Sequence, residues 1–187
     1  LKDAGYIFEA DSLIKIGGSQ GAAAIDVQKD VNIDAKNSTL QLVVNKDNGN
    51  AMGIRQNSSK LAQITADEVD VQVTGTGRTE AISVNGSNAS DVVKLAITGD
   101  TKLEAHGSSY ALGIYAAGNS QLDINGNYTV KAADGGWGIT NAKNGALNED
   151  GAFFNTSAIY AAGTAGSGNN ADAAAVVNII ELAVILV

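Results

Sequence analysis

A few residues of this chain have types and spacing that could do chemistry, and each has a plainer alternative. The lone histidine, His106, precedes Gly107 at a corner where the corresponding residues are Thr74 and Asp134. Histidine is the usual base near neutral pH, but a site whose counterparts are not bases reads as a surface turn. Asp67, Asp100 and Asn127 recur at matching points, and a column of oxygen ligands would suit calcium. The glycine-rich nonapeptide of calcium-binding β-rolls is absent, however, and Asx residues form turns unaided, so no metal is expected. No pair of carboxylates stands apart from the scattered surface acids, as glycoside chemistry would require. A phosphate-cradling GxxxxGK[ST] loop and a nucleophile elbow are also missing. The reading is a non-enzyme with no catalytic residues and no cofactor. Tyr115, Thr140 and Tyr160 remain, each following an aliphatic residue of a recurring motif and so facing outward. They could stack on a sugar ring or on another protein, although single surface aromatics need no such explanation.

The elements that must position these residues come from a repeat. A four-residue motif of small, any, small and aliphatic residues appears as Ala22–Ile25, Ala51–Ile54, Ala81–Val84 and Ala111–Ile114. Weaker copies follow at Gly136–Ile139 and Thr156–Ile159. The aliphatic positions lie 29, 30, 30, 25 and 20 residues apart, a period that means stacked supersecondary units. Between anchors run alternating segments such as Val69-x-Val71-x-Val73, Thr101-x-Leu103-x-Ala105 and Tyr128-x-Val130-x-Ala132. One apolar residue at every second position marks half-buried strands, and Gly, Asn and Asp mark the corners between them. The expected fold is all-β, a right-handed parallel β-helix with coils of about 20–30 residues. Ile25, Ile54, Val84, Ile114, Ile139 and Ile159 should stack as one inward core column, with Asp26, Arg55, Asn85, Tyr115, Thr140 and Tyr160 outside it.

Composition agrees with a slender core. Apolar residues make up 44% but aromatics only 5%, so the interior must be built from Val, Ile, Leu and Ala. Proline is absent, which leaves every strand position able to donate its N–H to a ladder. A net charge of −8 argues against nucleic acid, whose phosphates demand clustered Lys and Arg. There is no cysteine, hence no disulfide scaffold and no thiolate metal site.

The 187 residues read as one domain: an irregular leading coil at 1–20, repeated coils over 21–160, then a low-complexity loop and apolar terminal strand or cap at 161–187. Residues 140–155 read as an abbreviated or bulged coil. The apolar run 176–187 is shorter than the about 20 residues of a membrane helix, so no membrane insertion is expected. A first residue other than Met and a pattern cut off at Val187 suggest a piece of a longer protein.

With the coils set out, residues 111–139 (ALGIYAAGNSQLDINGNYTVKAADGGWGI) and their relatives at 51–84 and 81–114 resemble the passenger domains of autotransporters, the type V secretion proteins of Gram-negative bacteria. The resemblance covers residues 21–160. It implies a β-helix exported to the cell surface, with a role in virulence-associated adhesion. Its partners would be a host surface protein or glycan, or copies of itself on other cells. The alternative is a carbohydrate-binding or carbohydrate-processing β-helix of the tailspike or lyase kind.

Overall fold

The computed structural model describes residues 4–18, 22–86, 91–107, 110–133, 139–141, 152–154, 156–162, 175–180 and 183–186. The chain is an all-β solenoid of about four turns, built from parallel strands. Three walls enclose one apolar interior. Wall A stacks β1 (Ala4–Ile7), the first part of β4 (Val31–Lys46), of β6 (Leu61–Gly75) and of β8 (Val93–Gly107), then β10 (Ser120–Asn125) and β15 (Ala175–Ile180). Wall B stacks β2 (Ser12–Gly18), the second parts of β4, β6 and β8, then β11 (Tyr128–Ala133) and β16 (Ala183–Leu186). Wall C is a separate sheet of β3 (Ala22–Val27), β5 (Ala51–Gln56), β7 (Arg78–Gly86), β9 (Tyr110–Gly118) and β14 (Thr156–Ala162). Among the described residues, no helix is long and apolar enough to cross a membrane.

Alternation places one apolar column, almost wholly aliphatic, on each wall. Wall A aligns Tyr6, Ile33, Ile64, Ile97, Ile124 and Ile179. Wall B aligns Ile14, Leu42, Val71, Leu103, Val130 and Ile185. Wall C aligns Ile25, Ile54, Ile82, Ile114 and Ile159. Each fully buried Ile or Leu contributes roughly 1.5–3 kcal/mol, so these columns supply the main drive to stack. The leading segment thus continues walls A and B in phase, and the terminal apolar run adds a further layer on both.

Corners are set by local backbone chemistry. β4, β6 and β8 run unbroken from wall A into wall B, where the expected reading has separate short strands. Their registers shift at this corner, between Ala35 and Thr39 and between Thr65 and Glu68. Gly99 turns it with φ +129, and a Cβ there would lie 2.0 Å from the Ala66 carbonyl oxygen. Wall C bends at its middle. A side chain on Gly53 would begin 2.2 Å from Val71 Cγ1 and 2.5 Å from the Ala81 carbonyl oxygen, which explains the glycine before Ile54. The small residue and the isoleucine after it both face inward, since Ala24, Ile25, Ala81 and Ile82 all belong to the one apolar core cluster.

Two members of the expected column stand elsewhere. Opposite Ile54 lies Ile82 and not Val84, which pairs with Gln56 and Ala116. A slip of two residues leaves every side chain on its own face, so alternation alone cannot distinguish the two registers. The bend decides it, because Ala81-Ile82 supplies two adjacent inward apolar residues. The outward column shifts likewise and takes Ser83 in place of Asn85. Ile139 leaves the stack entirely. β12 (Ile139–Asn141) pairs antiparallel with β13 (Ala152–Phe154), and Ile114 meets Ile159 directly. The successive wall C isoleucines are 29, 28, 32 and 45 residues apart, the last interval containing this antiparallel pair. Of residues 140–155, expected as an abbreviated or bulged coil, 142–151 and 155 lie outside the described residues.

Candidate contact face

The outer side of wall C departs from the ordinary pattern. Outward positions on walls A and B are mostly exposed or half-buried, whereas several on wall C are closed off. Two outward columns flank the bend. One holds Ala23, Met52, Glu80 and Leu112; the other holds Asp26, Arg55, Ser83 and Tyr115, and the backbone register continues them to Ser157 and Tyr160. Glu80 and Leu112 are fully buried, and Ser83 and Asp26 nearly so. A carboxylate cannot be buried cheaply unless it is paired, and both carboxylates here are.

Arg55 is bidentate to Asp26 across one coil, with Nε donating to Oδ1 at 2.9 Å and Nη2 to Oδ2 at 2.6 Å. The Gln28 amide adds a third donor to Asp26 Oδ2 at 3.1 Å. Hydrogen bonding to Asp26 raises the Arg55 pKa further, against the opposing effect of burial. Arg78 Nε donates to Glu80 Oε1, and its guanidinium carbon lies 4.1 Å from the centre of the Tyr115 ring. A cation over an aromatic face is worth about 0.5–1 kcal/mol at an exposed site, and more where water is excluded. The sequence signal for this pair is Arg78-Thr79-Glu80, two charges of opposite sign on one face of a strand.

Tyr115 and Tyr160 are direct register partners in neighbouring coils. Thr140 does not lie between them, since it pairs with Phe153 in the antiparallel excursion. Tyr115 therefore stands in a polar frame of Arg78 and Ser83.

The other candidates resolve into structural parts. His106 Nε2 lies 2.6 Å from Glu104 Oε1 on the outer face of wall B. Its register partners are Thr74 and Ala133, so Ala133 takes the place expected for Asp134, which lies outside the described residues. The Asx residues at the A/B corner hydrogen-bond to backbone in adjacent coils. Asp67 Oδ1 accepts from Asn37 N at 3.2 Å, and Asp100 Oδ1 from Asn127 N at 3.1 Å. Asp100 is level with Glu68, not Asp67, so the three do not form one column. Among the described residues, no group of three or more His, Cys, Asp or Glu could hold a metal ion.

No protein-family model matches the chain, and no curated protein or solved structure matches it significantly.

Proposed function

We propose that this chain is a passenger segment of an autotransporter, displayed on the bacterial surface, and that the accessible part of the outer face of wall C, around the half-buried Tyr115, is a non-enzymatic contact surface. The observation that carries the contact reading is the register of Tyr115 with Tyr160 beside Arg78. Rigid aromatic rings with a polar tip give large contact area at small entropic cost, and suit a sugar ring or a flat protein patch. Both neighbouring carboxylates are bonded to arginines, an arrangement that favours holding a partner over donating or accepting protons. The autotransporter assignment rests on the sequence resemblance and the solenoid fold. The expected partners are a host surface glycan or protein, or the same face on another cell.

The test is binding of the purified chain to immobilised host glycans and host surface proteins, with a reducing-sugar assay alongside. Tyr115→Ala should weaken binding at least about tenfold, as for an aromatic anchor, with no sugar released. Unchanged binding would remove Tyr115 from the contact, and sugar release would favour the carbohydrate-processing alternative.

A further inference from the structure

Six Asn-x-Ser/Thr triplets occur in the chain, at Asn37, Asn57, Asn85, Asn88, Asn127 and Asn155. This is the acceptor motif for N-linked sugar, and by itself it is a weak signal. An acceptor also needs an amide nitrogen free to react, on a turn that a transferase can reach. The structure separates Asn37, Asn57 and Asn127 on that criterion; Asn88 and Asn155 lie outside the described residues.

Asn57 is exposed just beyond Gln56, where the chain leaves wall C, and Ser59 two residues on is exposed as well. The turn is presented firmly. Gln56, fully buried, donates to the Lys60 and Lys94 carbonyls at 2.5 and 2.9 Å and accepts from the Ser58 backbone at 3.2 Å. Asn37 is exposed at the A/B corner with φ +62, a left-handed conformation that projects it away from the walls. Among the described residues, neither side-chain amide makes a hydrogen bond. Asn127 is also exposed, but its Nδ2 is held by Asp100, at 3.0 Å from Oδ1 and 3.2 Å from Oδ2.

We propose that Asn57 and Asn37 are acceptor sites for an N-linked hexose from a diphosphate-activated donor. The asparagine Nδ2 attacks C1 of the sugar, and the C1–O bond to the diphosphate breaks. The diphosphate leaves with its electron pair, and the amide nitrogen gives up one proton. Both acceptors lie at corners of the tube, so the sugars line its edges and not the outer face of wall C. This inference is independent of what that face binds.

The test uses the folded chain, a soluble transferase specific for Asn-x-Ser/Thr, and a nucleoside-diphosphate hexose, with sites mapped by peptide mass spectrometry. Asn57 and Asn37 should carry hexose, and Asn127 at least about tenfold less, the cost of breaking a bond to a charged acceptor. Ser59→Ala should abolish transfer to Asn57 without changing thermal unfolding, and Asp100→Ala should raise transfer to Asn127. Failure of the folded chain to accept sugar at Asn57 and Asn37, whatever the unfolded chain does, would overturn the proposal. So would equal modification of Asn127 in the unaltered chain.

Discussion

Arg55 lies one coil beyond Asp26 and holds both oxygens of its carboxylate, so two successive coils are joined by side chains as well as by backbone. The pair sits at the near end of the column that reaches Tyr115 and Tyr160. Its planar fork is what a lysine lacks. Arg55→Lys keeps the charge, loses the paired geometry, and should cost about 1 kcal/mol. A thermal melt that does not move on this substitution would show that the bidentate pair adds nothing to stability.

A second prediction concerns Tyr128, among the described residues the largest side chain fully buried inside the tube. Among the described residues its hydroxyl has no hydrogen-bond partner, and burial pushes its pKa well above the usual tyrosine value. In the unfolded chain that phenol ionises near pH 10, while in the folded chain it stays protonated to higher pH. The contribution is fully present below about pH 10 and is lost as pH rises toward the folded pKa, because only the unfolded state releases the proton. Tyr128→Phe should therefore leave stability at pH 7 unchanged or raise it by up to about 1 kcal/mol, and should blunt alkaline unfolding. Urea melts at pH 7 and pH 11 measure both effects. Destabilisation by the phenylalanine at pH 7 would mean the hydroxyl has a partner.

Inside and outside of wall C can be separated at two adjacent residues. Ile114 is fully buried between Ile82 and Ile159, whereas Tyr115 faces out. Ile114→Asp buries an unpaired charge and should cost at least about 3 kcal/mol. Tyr115→Asp forfeits mainly the Arg78 contact, about 1 kcal/mol or less. Similar losses in equilibrium denaturation would invert the assigned faces.

Much of this architecture could be read from residue types. Ile64 and Ile97, or Val71 and Leu103, announce themselves because walls A and B alternate strictly and end at Gly, Asn or Asp corners. Wall C was harder. Its register is fixed by the bend that Gly53 permits, and Ala81–Val84 matches the same motif two residues out of phase. Ile139 was misread because Gly136-Trp137-Gly138-Ile139 copies the anchor, while nothing local shows that Asn141 will pair with Ala152 instead. The Tyr115 surround was only half visible. Arg78 reaches it across the bend, a contact that linear spacing does not encode.

Coil deletion tests the repeat length. Removing residues 54–81 joins Gly53 to Ile82 and deletes one coil as wall C registers it. Removing residues 54–83 joins Gly53 to Val84, the spacing that the motif suggests. The first deletion should unfold cooperatively with a smaller denaturant m-value, because less surface is buried. The second should be less stable by at least about 1 kcal/mol, since it puts a misfit at the bend. Equal stability of the two would argue that the wall C register is loose.

The stacking register that sets Tyr115 beside Ser83 is the foundation of the contact face, and cross-linking reads it directly. The chain has no cysteine, so pairs can be introduced into a clean background. Register partners in adjacent parallel strands lie about 4.8 Å apart, within the Cα range of a disulfide. The doubly substituted S83C/Y115C chain should oxidise to an intramolecular disulfide under mild conditions, while N85C/Y115C should remain reduced. Efficient bridging of N85C/Y115C, with none in S83C/Y115C, would contradict the register on which the contact face is built.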